Sequence, residues 1–188
     1  MKFLDLQTKI RTNLFSLSDI GKFFPDESSE VIKTQIYRFR KRSLIKKIKK
    51  GLYCFDISLV EELFLANLLV NPSYISLETA LNYYGLIPDI PQSSTSVTVK
   101  PTKKLKTPMG EFYYHQIKPE LFFGFQLIKS KKIYLRMAKK EKALLDYIYI
   151  RKIHKLDDLR IKTDFVNKRL YNKYLNSYPN WVKKVKLI

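Results

Sequence analysis

The chain has 188 residues, 45% of them apolar, enough for one domain or two small ones with real cores, so a disordered polyelectrolyte is excluded. A formal net charge of +19 and a pI near 9.9 call for an acidic partner such as nucleic acid, an anionic membrane or an acidic protein. Cys54 is the only cysteine, which rules out an intramolecular disulfide and fits a reducing compartment.

Charge is unevenly spread. Residues 1–60 carry +7, 61–125 carry −1 and 126–188 carry +13, so low-GC coding bias toward lysine explains only part of the excess. The N-terminus "MKFLDLQTKIR" lacks the continuous apolar core of a signal peptide. The apolar run Leu63–Val70 is too short for a membrane span, which needs about 20 residues. A cytoplasmic, non-membrane protein is the expectation.

Phe3, Leu6, Ile10 and Leu14 recur at helical spacing and predict a helix from Phe3 to Leu14. Ser16, with Asp19 three positions on, forms an acid-ended capping box before Ile20, Phe23 and Phe24. "PDESSE" breaks that pattern, and Ser28 or Ser29 can cap a third helix running to about Arg42. In this third helix Ile32, Ile36 and Phe39 form one stripe, while Lys33, Thr34, Tyr37, Arg38 and Lys41 occupy the opposite face.

After Ser43 the period changes. In "LIKKIKKGLYCF", Ile45 and Ile48 flank lysines, Gly51 supplies a turn and Leu52 to Phe55 suit a strand, giving a hairpin with a basic tip. Three helices followed by such a hairpin predict a winged helix-turn-helix. Nine Lys and Arg lie between Val31 and Phe55, and an anionic partner would offset their mutual repulsion.

Residues 56–70 read as a linking helix, ended by "NPSY". Ser76 is placed to cap a helix from Leu77 to Tyr84, and Gly85 to stop it. Extended runs are expected at Ser96–Lys100, Glu111–Ile117, Phe122–Lys129 and Lys132–Met137, as a mostly antiparallel sheet. Helical spacing returns at Lys139–Ile150, at Asp164–Leu175 and from Pro179, where Trp181, Val185 and Ile188 align. The fold class is therefore α+β: a winged helix-turn-helix over 1–65 and an α+β domain over 66–188.

Four stretches carry a family resemblance: "YISLETALNYYGLIPDIP", "SVTVKPTKK", "TPMGEFYYHQIKPELFFGF" and "AKKEKALLDYIY". With the preceding "LIKKIKKGLYCF", the chain from about Leu14 onward resembles the AbiEi family of antitoxins and transcriptional regulators. The resemblance implies a DNA-binding antitoxin of a type IV toxin-antitoxin system, linked to phage defence. Such a protein represses its own operon through the winged domain. Its C-terminal domain counters a nucleotidyltransferase-like toxin without a stable complex. The resemblance also marks Gly85, Gly110, Glu141, Lys142 and Asp146 as positions of the C-terminal motifs. A regulator acting without a toxin partner remains open, as does an RNA-binding accessory protein.

Mapped onto this chain, the family's recognition helix corresponds to Glu30 through Arg42. Lys33, Thr34, Tyr37 and Arg38 are then the candidates for groove contacts, with Arg38 able to fork onto guanine and Thr34 to meet a thymine methyl. Lys41, Arg42, Lys46, Lys47, Lys49 and Lys50 are candidates for phosphate contacts, which position the protein on the duplex.

Catalysis finds little support. His115 shares a strand face with Glu111 and Tyr113, and Glu141 and Asp146 sit about 140° apart around a helix, Glu141 being better placed to pair with a nearby lysine. Asp157 and Asp158 after His154 are better suited to helix capping than to a ligand cluster. No Gly-rich phosphate loop or zinc spacing occurs, so no catalytic residue, metal or cofactor is expected. Lys129, Lys131 and Lys132 form a charged turn, and Lys183, Lys184 and Lys186 decorate the last helix; they can extend nucleic-acid contact or solvate a surface.

Overall fold

Local capping chemistry fixes where the N-terminal helices begin. In the computed structural model, which describes residues 1–130, 133–156 and 160–187, α1 (Phe3–Lys9), β1 (Leu14–Ser16) and α2 (Leu17–Phe23) precede α3 (Ser29–Lys41), β2 (Lys46–Lys49) and β3 (Leu52–Cys54). Ser16 Oγ accepts from Asp19 N at 3.1 Å and the Asp19 carboxylate accepts from Ser16 N at 2.9 Å, closing the box that starts α2. Ser28 Oγ accepts from Val31 N at 3.3 Å and starts α3.

The helix expected from Phe3 to Leu14 is shorter. It ends at Lys9, and Leu14 opens a strand that pairs antiparallel with β3, Leu14 opposite Cys54. The cause lies in Thr12 and Asn13, whose side chains bond to backbone rather than continue the helix. Thr12 donates to Leu14 O at 3.1 Å, while Asn13 exchanges two bonds with the Asp56 backbone, at 2.7 and 2.9 Å. The resulting sheet has the order β1-β3-β2, all antiparallel, with a register shift between Lys47 and Lys49. Leu6, Phe15, Ile20, Ile32, Ile36 and Phe39 meet Ile45 and Tyr53 in one core beneath these elements.

The chain folds as two compact units: Met1–Glu61 with Thr107–Met109, and Glu62–Lys106 with Gly110–Ile188. In the second unit α4 (Glu62–Leu69), β4 (Tyr74–Ile75) and α5 (Leu77–Tyr83) lead into β5 (Ser94–Thr98), β6 (Lys103–Thr107) and β7 (Gly110–Gln116). Next come β8 (Phe125–Ser130), β9 (Ile133–Ala138), α6 (Lys140–Arg151), α7 (Lys168–Leu175) and α8 (Asn180–Lys183). The expected Asp164 start of the penultimate helix is a separate 3-10 turn at Thr163–Phe165.

The sheet of this unit is six-stranded and mixed, in the order β6-β7-β5-β4-β9-β8, which corrects the expectation of a mostly antiparallel one. β5 runs parallel to β7 and β4 parallel to β9, while β4–β5 and β8–β9 are antiparallel. Alternation along a strand reports which face is buried, not which neighbour it takes, so it does not reveal the pairing. Every residue of β5, "STSVT", is buried, and hydroxyl bonds satisfy most of this polar strand: Ser94 to Glu62 at 2.6 Å, Thr95 to Ser76 O at 2.8 Å, Thr98 to Pro72 O at 2.6 Å. Among the described residues no helix is long and apolar enough to cross a membrane. Lys131, Lys132, Asp157, Asp158 and Ile188 lie outside the described residues.

Two stability outcomes follow for the N-terminal unit. Phe39→Ala removes a ring 6% exposed and should cost about 3–5 kcal/mol, whereas Tyr37→Ala on the opposite side, 53% exposed, should stay within about 0.5 kcal/mol, both read by urea unfolding. The Ser16 hydroxyl, then the Ser16 N–H, hold the Asp19 carboxyl below its ordinary value of 3.8. The folded state therefore binds fewer protons than the unfolded one in that window. Its contribution is present above pH 3.8 and lost as pH falls through the lower folded value. Asp19→Asn should flatten this acid limb in unfolding curves measured between pH 2 and 5, a range bracketing carboxylate titration at about 3.9.

Candidate nucleic-acid interface

With α3 begun at Ser28 and its apolar stripe seated on the core, about 100° per residue turns the remaining positions outward. Lys33, Thr34, Tyr37, Arg38, Lys41 and Arg42 are all exposed. Lys41 Nζ lies over the Tyr37 ring, 5.3 Å from its centroid, so cation and aromatic form one ridge. Thr34 donates its hydroxyl to Glu30 O at 2.9 Å, which leaves the oxygen lone pairs free to accept. Arg40, on the flank of this face, is exposed as well; the sequence pattern does not single it out because it sits beside the Phe39 stripe.

The hairpin adds the second set. Lys46, Lys47 and Lys50 are exposed, Lys49 is half-buried and Ile48 is buried at 3% exposure. Strict alternation would put Lys46 and Ile48 on one face, but the shift between Lys47 and Lys49 breaks it. Ile48 can then be buried while Lys46, Lys47 and Lys50 remain in solvent. Gly51 makes the turn at φ +81°, a region only glycine enters cheaply. From Ser29 to Cys54 the sole acidic residue is Glu30, in the first turn of α3. Chemically, this surface offers a planar guanidinium fork, a hydroxyl, a phenol and several ammonium groups, the set that contacts base edges and phosphate oxygens.

The five motif positions of the C-terminal unit lie elsewhere and behave differently. Gly85 (φ +69°) follows α5, and Gly110 (φ +127°) opens β7. Glu141 is buried, and among the described residues it does not form the expected pair with a lysine; its Oε1 accepts from Asn167 N at 2.9 Å, at the start of α7. The lysine pairs with Asp146 instead. Lys142 and Asp146, both at 0% exposure, meet one helical turn apart at 2.5 Å.

Asp146 is saturated with donors. Tyr74 and Ser76 hydroxyls donate to Oδ2 at 2.9 and 2.8 Å, and Tyr178 donates to Oδ1 at 2.8 Å. Ser76 therefore spends its hydroxyl on Asp146 and makes no side-chain cap on α5. Lys142 Nζ also reaches Tyr178 Oη at 2.5 Å and lies 5.0 Å from the Phe123 ring centroid. Burial pulls the ammonium below the ordinary lysine range while Asp146 holds it up. Burial, then the Asp146 charge, pushes the Tyr74 and Tyr178 phenols well above theirs. Gly124, at φ +73°, is where the lysine stem passes: a Cβ there would meet Lys142 Cγ at 3.1 Å.

Nothing in the chain's spacing brings Tyr74, Ser76, Gly124 and Tyr178 together with Lys142 and Asp146, and sequence reasoning misses them. Among the described residues no three His, Cys, Asp or Glu side chains converge as metal ligands. No family model matches the chain, and no curated protein matches it.

Asp146→Asn strips the countercharge from a buried ammonium and should cost about 3–5 kcal/mol in chemical unfolding. Glu120→Gln, which breaks the exposed pair with Lys118 at 3.9 Å, should change stability by less than about 0.5 kcal/mol. Equal effects would mean that the buried pair holds nothing.

Proposed function

We propose that this chain is a winged helix-turn-helix protein that binds duplex DNA upstream of its own gene and represses that operon. The order helix, strand, helix, helix and two-stranded ribbon, with α3 as the second helix of the turn, supports the reading. The observation that carries it is the outer face of α3, where Lys33, Thr34, Tyr37 and Arg38 are exposed together. The Lys46–Lys50 ribbon follows as the wing, its lysines contacting phosphates while the N-terminal half of α3 addresses base edges.

The resemblance to the AbiEi family extends the proposal. On it, the second unit is an antitoxin domain acting against a nucleotidyltransferase-like toxin, with no stable toxin complex. The ordered core around Lys142 and Asp146 then serves as its scaffold, not as a catalytic centre. Neither a cofactor nor a membrane enters this reading.

A gel-shift titration with labelled upstream duplex tests it. The wild-type chain should give a shift competed by specific DNA and not by structured RNA. If about six phosphates are contacted, the slope of log affinity against log salt should be about −5. Arg38→Ala should cost about 1–3 kcal/mol and relax preference at one base pair, whereas Lys46→Ala and Lys47→Ala should each reduce the salt slope by about 1 with little change in sequence preference. Equal binding by the Arg38 variant, or preference for RNA, contradicts the proposal. Co-expression with an adjacent nucleotidyltransferase-like reading frame should restore growth; failure leaves the regulator role alone.

A further inference from the structure

A cavity of about 610 Å³ in the second unit is lined by residues that none of the roles above uses. Its volume falls within the range of about 300–1,000 Å³ usual for small-molecule sites. Part of its wall is aromatic. Tyr149 of α6 and Trp181 of α8 stack with centroids 5.9 Å apart and 19° between planes, and His154 tilts against Trp181 at 5.5 Å. Tyr178 braces Tyr149 edge-on at 5.7 Å, which ties this wall to the buried Lys142–Asp146 network through a shared tyrosine.

Polar groups come from the sheet. Thr102, with His115 and Gln116 of β7, lines the same space. His115 Nε2 is buried and has no hydrogen-bond partner among the described residues. Burial, then the nearby Arg151 charge, holds this imidazole below the ordinary histidine range. It is thus neutral near pH 7, able to take one hydrogen bond of either polarity according to tautomer.

The one charged side chain among the described lining residues is a cation. Lys152, the C-cap of α6, lines the cavity, and none of the described lining residues is acidic. Lys155, Lys183 and Lys184, neighbours in sequence of His154 and Trp181, are exposed. Flat aromatic faces, a neutral imidazole beside an amide and a hydroxyl, and ammonium groups at hand are the chemistry that takes a base through stacking and edge hydrogen bonds and a phosphate through charge.

We propose that this cavity binds a phosphorylated nucleoside, its base against the Tyr149, Trp181 and His154 rings with an edge bond to His115, its phosphate toward Lys152. The ligand is either a free mononucleotide or an unstacked nucleotide of a single strand. Neither source requires the α3 face, so this site and the duplex-binding reading stand or fall separately.

Trp181 is the only tryptophan, so its fluorescence reports the site directly in the full chain. Titration with AMP, UMP, ribose 5-phosphate and a short single-stranded oligoribonucleotide separates the sources. AMP or UMP should change the emission saturably, with half-saturation below about 1 mM, if the ligand is a free nucleotide. Saturation by the oligonucleotide alone assigns the site to a strand.

Tyr149→Ala should raise the half-saturation point roughly tenfold. Lys152 has φ 54° and ψ 45°; Lys152→Asn removes the charge while keeping a residue that tolerates the left-handed region, and should raise the point about threefold. If Tyr149→Ala fails to fold, Lys152→Asn, an exposed position, carries the test. No saturable change with any probe, an equal response to ribose 5-phosphate and AMP, or an unchanged half-saturation point in the folded variants would overturn the assignment.

Discussion

Mutual repulsion among nine positive charges between Lys33 and Lys50 is the constraint on which the N-terminal unit is built. Screening extends over only about 8–10 Å at moderate salt, so neighbours along one helix and one ribbon feel each other. What holds them is the apolar set behind them: Ile32, Ile36 and Phe39 on α3 and Ile45 before the ribbon, closed by Phe15 and Leu6, with Ile48 buried within the ribbon itself. Because the same residues that hold the elements set their rotation, the α3 cations and Lys46, Lys47 and Lys50 of the ribbon are left exposed. A polyanion lying against them relieves the repulsion and releases its own counterions. Fold and proposed function therefore rest on one arrangement of charge outside and grease inside.

The second unit handles charge in the opposite way. Lys142 and Asp146 are withdrawn from water altogether, a costly placement unless every donor and acceptor is answered. Here Tyr74, Ser76 and Tyr178 answer the carboxylate. The group thereby fastens β4, α6 and the turn before α8 at one point, and leaves the aromatic wall of Tyr149 and Trp181 standing on Tyr178. A buried pair of this kind specifies arrangement more than it adds stability, since well-packed apolar residues could fill the same space.

Legibility in the sequence tracks the distance over which each interaction acts. The Ser16–Asp19 box and the Ser28 cap span three residues and are readable from the chain, as is the outward rotation of Lys33, Tyr37 and Arg38 on α3. The strand Leu14–Ser16 is not, because three residues carry no period and its partner lies about forty positions on. Tyr74–Ile75 escapes for the same reason. Lys142 is marked only by the family resemblance, and neither its burial nor the passage of its stem over Gly124, eighteen positions upstream, can be read from "KKEK". The Asp146 donors and the cavity lining converge from segments up to about a hundred residues apart, a convergence that periodicity does not encode.

Hydrogen exchange of the full chain, with and without duplex DNA from upstream of its gene, tests the central claim most directly, because it reads the contact surface segment by segment. The account predicts that DNA slows exchange in Ser29–Lys41 and in the Lys46–Cys54 ribbon, with the slowing lost at high salt. Slowing confined to the second unit, or absent throughout under conditions where DNA is bound, would contradict it.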